Sequence, residues 1–577
     1  MNCFVPTFLI YTVLAGTCNA QTDINGALES VDRAVDGSAL LRGWACQSGS
    51  SKPAYVRVTF GKPAPTGVAL FSVPADREGS AATAGKCGDS GGGHTFQITL
   101  SARDTVRFSG MRIFVYAAAG EDNAEGKELA NSGTFSLAPT SAPERVDCKS
   151  WNGVVDRNIQ LQPANCLITK QVVIAKPDLS LDCNGATIDG SNVKILPGSR
   201  GQGVGVASEK VTCEHSDASG AESLFIDADG SGSLIKNCKI QNFAFGIYLN
   251  RRAWSKPRPN AECIAYPEFS DDNAKIARTP SLNGMLGGRD KRYGYSAADV
   301  TVRNVEISKV KDSGIFVNEY AQNWLIEDAG IRANSVGIYL ERESRQNRII
   351  TSTIASNGNV GIAIDASANN LIEDNVIENN GGIGVALYKN CGESRGVTRY
   401  QHTNGNILRH NIIRGQGGMR FGDMTLTMSY LLSLPGVETL SKPGVGVWIA
   451  SRQGLSRTWM ERVTRNQNSA CSDTGYSLRG QTFYEDHAKY NQLIENTIYN
   501  NGLADVIVED DNNKLIGNNF SADGNRIPLT SIIIGSIFRE QDALLGPVRN
   551  ISLSDNFLPK KTISGPVMYI GGSKADN

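Results

Sequence analysis

A repeating alternation of apolar and polar residues runs through the second half of the chain. Its clearest form is a glycine followed by a short strand-like segment, as in Gly314-Ile-Phe-Val-Asn318, Gly337-Ile-Tyr-Leu-Glu341, Gly361-Ile-Ala-Ile-Asp365 and Gly384-Val-Ala-Leu-Tyr388. These four glycines are 23, 24 and 23 residues apart. Related segments begin at Gly246, Gly446 and Asp505 after longer intervals. A fixed period in the low twenties, built on short apolar strands, predicts a β-solenoid in which successive coils of the chain stack.

A second phrase recurs between the glycines. It reads Asn347-Arg-Ile-Ile-Thr-Ser-Thr-Ile, Asn370-Leu-Ile-Glu-Asp-Asn-Val-Ile and Asn491-Gln-Leu-Ile-Glu-Asn-Thr-Ile. Each phrase is followed by a turn that places Asn357, Asn380 and Asn501 in one register, with Asn334 joining them. Asparagine suits such turns because it tolerates left-handed backbone angles and its amide can bond to the copies above and below.

The two phrases together resemble the right-handed parallel β-helix proteins of the pectin-lyase type. The segment Leu179-Ser-Leu-Asp-Cys-Asn-Gly-Ala-Thr-Ile-Asp-Gly190 looks like the first coil of that group. The resemblance covers about residues 145 to 560 and implies an all-β protein whose main domain, residues 145–577, is a right-handed parallel β-helix. It implies the fold and leaves the chemistry to the side chains.

A smaller domain is predicted before the solenoid. Residues 54–60, 67–73, 94–100 and 111–117 alternate in polarity between turn residues, which predicts a small antiparallel β-sandwich over residues 21–137. Residues 138–144 are rich in Pro and small side chains and read as a linker. The segment Leu41-Arg-Gly-Trp-Ala-Cys46 resembles the Gly-Trp-Ala modules that accompany catalytic domains in bacterial exported proteins. Trp44 is either a sugar-stacking platform or a core residue.

Export is predicted from the first residues and from the cysteines. The apolar run Phe4–Gly16 and the small residues ending at Ala20 read as a signal peptide over residues 1–20, with a lipoprotein signal as the alternative. Neither this run nor any later one is long enough to span a bilayer. Removing the peptide leaves ten cysteines, an even number that fits a secreted or periplasmic protein. Pairing neighbours in sequence order would keep every bridge within one domain.

Charge and motifs exclude several functions. With 57 basic and 58 acidic residues and no long run of either sign, nothing indicates a nucleic-acid partner. The chain carries no serine-hydrolase elbow, phosphate-binding loop or zinc-protease motif. The oligomeric state is not predictable from the sequence.

One outer face of the solenoid combines aromatic and polar side chains. Alternate strand residues point to opposite faces, so Ile338 and Leu340 are expected inside while Tyr339 and Glu341 face outward. Three long insertions, about residues 251–298, 391–441 and 452–488, leave from the same strand end and would wall a groove for an extracellular polysaccharide. The predicted substrate-binding residues are Tyr248, Asn250, Arg251, Phe316, Asn318, Tyr339, Arg342, Tyr388, Lys389, His402, Trp448 and Arg452.

One chemistry for this groove is glycoside hydrolysis. Adjacent coils lie about 4.8 Å apart, so Glu341 and Asp365 could hold their carboxylates at the separation of about 5 Å that a retaining glycosidase needs. Glu343 and Glu319 are alternative carboxylates. The competing interpretation is that carboxylates on neighbouring coils share a calcium ion or the flanking arginines.

The other chemistry is elimination from a uronic acid. Asn318 and Glu341-Arg-Glu343 resemble the calcium-binding set of the chondroitinase B and alginate lyase family, whose fold is the same. The family's lysine base is replaced here by the run Ser344-Arg-Gln-Asn347, so a lyase would have to recruit Lys389, Tyr388, Arg342 or His402. Mannuronan epimerases share the fold, but Glu485-Asp-His487 is a poor match to their motif.

The sequence therefore predicts an exported enzyme that cleaves an extracellular polysaccharide, with an acidic polymer favoured. Hydrolysis by the carboxylate pair slightly leads elimination or epimerisation. No cofactor is required, and calcium at Asn318, Glu341 and Glu343 is the one metal site considered. The alternative from another class is a non-catalytic, adhesin-like solenoid that binds carbohydrate.

Overall fold

A computed structural model describes most of the chain. The described residues are 23–34, 37–64, 68–88, 93–120, 126–137, 142–174, 176–191, 222–226, 230–249, 297–318, 320–389, 401–417, 444–451, 476–478, 481–483, 486–521, 530–535, 547–558 and 568–570. The chain divides into two compact units, Met1–Pro139 and Thr140–Asn577. The predicted signal peptide and most of the three insertions lie outside the described residues.

The first unit is built from two antiparallel sheets. Its strands are β1 (Ile24–Arg33), β2 (Ala39–Gln47), β3 (Tyr55–Phe60), β4 (Val68–Pro74), β5 (Thr95–Leu100), β6 (Ile113–Ala118) and β7 (Lys127–Glu128). One sheet has the order β1-β2-β5 and the other β4-β3-β6-β7. The four predicted strands match β3, β4, β5 and β6, whereas β1 and β2 were missed because polar and glycine residues interrupt their alternation.

Two short helices and a disulfide complete this unit. The helices are α1 (Ala81–Cys87) and α2 (Ala102–Arg107), and within the described ranges no helix is long and apolar enough to cross a membrane. Cys46 pairs with Cys87, as predicted, and both pack against Trp44. Trp44 is 8% exposed, so it is a core residue rather than a sugar platform.

The second unit is a parallel β-helix with three long sheets, confirming the predicted fold class. We name them sheets I, II and III in the order in which each coil visits them. The twelve described strands of sheet I are Glu144–Asp147, Ile159–Gln162, Ser180–Asp182, Leu234–Lys236, Thr301–Arg303, Leu325–Glu327, Arg348–Ile350, Leu371–Glu373, Ile407–Arg409, Gln492–Ile494, Lys514–Ile516 and Ser552–Ser554. The nine of sheet II are Leu167–Ile168, Thr187–Asp189, Lys239–Gln241, Glu306–Ser308, Gly330–Arg332, Thr353–Ala355, Val376–Glu378, Ile412–Arg414 and Thr497–Tyr499.

Sheet III contains the glycine-led strands of the repeat. Its twelve described strands are Val154–Val155, Val172–Ile174, Glu222–Ile226, Phe245–Leu249, Ser313–Val317, Val336–Leu340, Val360–Asp365, Ile383–Tyr388, Val445–Ile449, Ala504–Val508, Thr530–Ile534 and Met568–Ile570. An antiparallel pair, Tyr476–Leu478 with Gln481–Phe483, lies in the third insertion.

The interior of the solenoid is a continuous apolar core, to which the strands contribute Ile338, Leu340, Ile362 and Ile364 among others. Glycine opens the six strands of sheet III from Phe245–Leu249 to Val445–Ile449, where the next coil approaches closely. A Cβ at Gly361 would lie 2.6 Å from the carbonyl oxygen of Gly384. Such a contact is shorter than any side chain tolerates, so the repeat keeps glycine at this position.

Buried amides form ladders along the turns. In the ladder between sheets II and III, the side chains of Asn334, Asn357 and Asn380 accept and donate hydrogen bonds from one coil to the next at 2.9–3.1 Å. Gln416 and Asn501 extend this ladder. The predicted register of the four asparagines is therefore confirmed. Gln416, which was not predicted, also belongs to the ladder, because its longer side chain places its amide in the same position.

The disulfides of the second unit agree only partly with pairing in sequence order. Cys148 pairs with Cys166, as that scheme requires. Cys183 pairs with Cys238 instead of Cys213, because parallel stacking brings the ends of two sheet I strands, 55 residues apart, into contact. Cys213, Cys263, Cys391 and Cys471 lie outside the described residues.

Candidate active site

The predicted aromatic column runs up the outer face of sheet III. Strand register aligns Tyr248 with Phe316, Phe316 with Tyr339, and then Ala363, Ala386 and Trp448 in succession. Tyr248 and Phe316 stack at 5.2 Å between ring centroids, and Phe316 and Tyr339 stack at 5.1 Å. The column is therefore a continuous ladder of rings through three coils.

Both ends of the column are buried, which corrects the prediction that Tyr248 and Trp448 face a substrate. Tyr248 is 6% exposed and packs with Val173 and Phe245. Trp448 is 5% exposed and belongs to an apolar cluster on the outer face that includes Ile507 and Ile533. Alternation along a strand gives the face of a side chain but not whether another segment covers that face. The accessible aromatic surface is the half-buried middle, Phe316 and Tyr339.

A chain of hydrogen bonds begins at the accessible middle of this face. The hydroxyl of Tyr388 donates to the hydroxyl of Tyr339 at 3.2 Å, which in turn donates to Oδ2 of Asp365 at 2.8 Å. Asp365 pairs with Tyr388 across adjacent strands, while Tyr339 comes from the preceding coil. Tyr388 and Tyr339 are half-buried, and Asp365 is fully buried beneath them. The three side chains can therefore pass a proton from the surface to an internal carboxylate.

The carboxylates of the Glu-x-Glu phrase have separate environments. Glu341 is half-buried at the end of its strand, next to the coil that carries Asp365. Glu343 is 3% exposed, has a left-handed backbone with φ of 59°, and accepts the backbone N–H of Gln401 with both oxygens at 3.0 and 3.1 Å. Glu343 thus anchors the chain at Gln401, within the second predicted insertion, and its role as a substitute catalytic carboxylate stays a prediction.

Asn318, the third residue of the considered calcium set, is also engaged. It is 3% exposed, and its Nδ2 donates to the carbonyl oxygen of Leu249 at 3.1 Å. The calcium site at Asn318, Glu341 and Glu343 stays a prediction.

Three of the predicted basic residues lie beneath the surface. Lys389 and His402 are fully buried and Arg342 is 4% exposed, so they support the site rather than form its contact surface. Burial holds the pKa of His402 well below its usual value, and the positive charge of Lys389 lowers it further. His402 is therefore a neutral imidazole at neutral pH, with its ring 4.7 Å from that of His487. Thr403 ties this turn to the site by donating to the carbonyl oxygen of Tyr388.

Four predicted site residues lie outside the described residues. They are Asn250, Arg251, Glu319 and Arg452.

A possible metal-binding group lies elsewhere, at the turn after sheet I, and was missed in the sequence. Donor atoms of Glu373, Asp374 and His410 all lie within 4.8 Å of one another. Nδ1 of His410 is 3.7 Å from Asp374, while its Nε2 contacts Glu495 at 3.1 Å. The sequence signal that could have predicted this group is that Glu373-Asp374 and Arg409-His410 occupy the same place at the ends of two aligned strands. Arg409 already forms an ion pair with Glu373, so this carboxylate is not kept available for a metal ion.

Comparison with known proteins agrees with the fold. Residues 292–422 match the family model described as right handed beta helix region, which is less than half of the chain. Comparison with curated protein sequences finds no match.

Solved structures of similar architecture share little sequence with the chain. The A-module of mannuronan C-5 epimerase AlgE6 from Azotobacter vinelandii is 11% identical, with a TM-score of 0.32, over 73% of this chain and 90% of that one. The periplasmic alginate epimerase AlgG is 12% identical, with a TM-score of 0.34, over 72% and 75%. The catalytic domain of a GH87 alpha-1,3-glucanase in complex with nigerose is 9% identical, with a TM-score of 0.34, over 95% and 97%. At such values no activity follows from the likeness.

Proposed function

We propose that the chain is an exported enzyme that acts on an extracellular acidic polysaccharide through proton transfer at Tyr388. The observation that carries this proposal is the hydrogen-bonded chain from Tyr388 through Tyr339 to Asp365. Burial of the Asp365 carboxylate has a desolvation cost, and a surface that only binds carbohydrate has no need of a buried carboxylate linked to two phenols. The polymer lies along the outer face of sheet III, with Phe316 and Tyr339 as the aromatic surface for its rings.

The burial of Asp365 favours proton abstraction over hydrolysis by a carboxylate pair. A retaining glycosidase needs two carboxylates that both touch the sugar. Here Glu341 is accessible, but Asp365 is fully buried and is reached through Tyr339. A phenol can take the proton next to a uronic-acid carboxylate when a base stands behind it, and elimination or epimerisation follows.

The product distinguishes the reactions. The purified protein is incubated with a panel of acidic and neutral polysaccharides. Ultraviolet absorbance of unsaturated uronic acid, new reducing ends and uronic-acid composition are followed together. We expect both signals to rise on an acidic polymer. Reducing ends alone would mean hydrolysis and return the roles to Glu341 and Asp365. Changed uronic-acid composition without new ends would mean epimerisation. Failure of all three signals across the panel would contradict an enzyme and favour the binding solenoid.

The hydroxyl chain is tested by Tyr388→Phe. Removal of one hydroxyl should lower kcat by about 10²–10⁴-fold, because it removes the group that exchanges the proton with substrate. Asp365→Asn should act similarly while KM for the polymer changes little. Tyr499→Phe, which removes a hydroxyl that accepts from Arg414 on sheet II, is the matched control and should retain full activity. Full activity of Tyr388→Phe with folding intact would refute the assignment.

A further inference from the structure

A second groove lies on the turn that leads from sheet III to sheet I. It has a volume of about 680 Å³ and shares no residue with the candidate active site. Its lining is rich in amides and includes two cations and one carboxylate, Asp299. The other residues that matter here are Asn323, Gln346, Asn369, Gly405, Arg348 and Arg409.

The amides of this groove form a straight column. Asn323, Gln346 and Asn369 occupy the same place in successive coils, and all have left-handed backbones with φ of 55–58°. Each backbone N–H in the column bonds to a carbonyl of the next coil, at 3.1 Å for Asn323 and Gln346 and 3.0 Å for Asn369. Adjacent coils are about 4.8 Å apart, comparable with the advance of one sugar in an extended chain. The column therefore offers one amide for each sugar residue of a polymer lying along it.

Amides suit sugar hydroxyls because each presents a donor and an acceptor at once. Gln346 and Asn369 are exposed, and Asn323 is half-buried. Asn323 donates its Nδ2 to Oδ1 of Asp299 in the preceding coil at 2.6 Å, and the buried amides of Asn357 and Asn380 bond to one another.

The column of amides is interrupted by a gap and an aromatic ring, beyond which Asn512 and Asn550 occupy the same place. The next place belongs to Gly405, with φ of 68°, where a Cβ would lie 2.4 Å from Oδ1 of Asn369. The following place belongs to Tyr490, which is 55% exposed although its left-handed φ of 60° is uncommon for an aromatic residue. An exposed ring beyond a gap is a platform on which a sugar can stack.

Positive charge lies along one edge of the groove. Arg348 and Arg409 lie on strands of sheet I that are two coils apart, at opposite ends of those strands. Arg409 forms an ion pair with Glu373 of the strand between them. Burial lowers the pKa of Arg348 below its usual value; Glu373 opposes this effect, and Arg409 adds to it. A carboxylate of the ligand placed against Arg348 would add a charge-assisted hydrogen bond and offset the repulsion from Arg409.

We propose that this groove is a second glycan-binding site, which holds a stretch of acidic polysaccharide outside the active site. A sugar ring stacks on Tyr490, hydroxyl groups bond to Gln346 and Asn369, and carboxylates of the polymer face Arg348 and Arg409. The choice of an acidic ligand rests on the proposed function. Such a site would keep a long polymer attached to the protein between reaction cycles, because two weak attachments on one chain raise the effective concentration.

Binding of polygalacturonate, alginate and neutral dextran to the full-length protein tests the site. Affinity electrophoresis compares the parent with Arg348→Gln and Tyr490→Asn, where asparagine preserves the left-handed backbone. We expect each variant to lose roughly tenfold in affinity for an acidic polymer that the parent binds. Arg332→Gln, an exposed arginine on sheet II, is the matched control and should bind as the parent does. Unchanged affinity in both groove variants, or equal binding of dextran by the parent, would overturn the proposal.

Kinetics separate this site from the active site. In the variants, kcat on short oligosaccharides should equal that of the parent, while KM for the long polymer should rise. If the parent turns over no polysaccharide and the variants still lose binding, the proposed reaction fails and the groove stands. If turnover is present and binding is unaffected by the variants, the groove fails and the reaction stands.

Discussion

Asp505 replaces glycine in the column that opens the strands of sheet III. It follows Ala504, which aligns with Val445, so it sits beside Gly446 of the preceding coil. Nδ2 of Asn501 donates to its carboxyl at 2.9 Å, and the side chain is fully buried. Burial raises the pKa of Asp505 to about 8, despite the hydrogen bonds from Asn501 that oppose the shift. The amide ladder therefore ends on a carboxylic acid that is mostly protonated at neutral pH.

The raised pKa predicts a pH-dependent stability. Because the folded state binds the proton more tightly than the unfolded chain, stability falls as pH rises from about 4 to about 8 and then levels. Asp505→Asn removes this dependence. Urea unfolding should show the variant similar to the parent at pH 5 and more stable by about 2–4 kcal/mol at pH 9. Asp555→Asn, an exposed turn carboxylate, should show no such divergence. Parallel curves for Asp505→Asn and the parent would contradict the assignment.

The Glu-x-Glu phrase shows what the sequence could and could not predict about single residues. Period-two alternation correctly aligned Tyr248, Phe316 and Tyr339, because register alone determines that column. Glu343 lies past the strand, where a left-handed turn redirects its side chain toward Gln401. Alternation ends with the strand, and a partner 58 residues away in the sequence leaves no local signal.

At the scale of the element, the amide ladders explain why the coils keep one register. Asn380 accepts from the backbone and the side chain of Asn357, and its own amide donates to Gln416 and to the carbonyl oxygen of Ile354. A shift of one residue would leave all these groups buried without partners. The recurrence of Asn at a fixed place predicted this ladder, while Gln416 escaped because it is a different residue type.

Breaking one rung should therefore be costly. Asn380→Ala removes the acceptor of the backbone and side-chain N–H groups of Asn357 and the side-chain donor to Gln416 and Ile354. We expect a loss of about 2–5 kcal/mol in the free energy of unfolding. Thermal and urea unfolding measure the loss. The control is Asn379→Gly at the adjacent exposed position, where the left-handed φ of 56° suits glycine. A loss no larger in Asn380→Ala than in this control would show that the ladder is dispensable.

At the scale of the solenoid, each coil contacts mainly its neighbours, so stability is propagated along the stack. The first coils contain the disulfides Cys148–Cys166 and Cys183–Cys238, whereas the middle coils rely on the apolar core and the amide ladders. This division agrees with the ladders, because the described bonds between stacked interior asparagines begin at Asn334. Among the described residues, the first coils are thus linked by disulfides, and the coils from Asn334 onward are linked by interior asparagine ladders.

Removing the second bridge should loosen the first coils alone. Cys183→Ala/Cys238→Ala frees a link between residues 55 apart in sequence, which in the chain-entropy account contributes about 4 kcal/mol. Amide hydrogen exchange should accelerate in Ile159–Gln162 and Thr187–Asp189, and stay unchanged in Val336–Leu340 and Val360–Asp365 of the candidate site. Because nearest-neighbour coupling weakens with each intervening coil, activity should survive the substitution. Equal acceleration in all four strands would mean that the β-helix opens as one cooperative unit, and the division between covalently held and ladder-held coils would have to be abandoned.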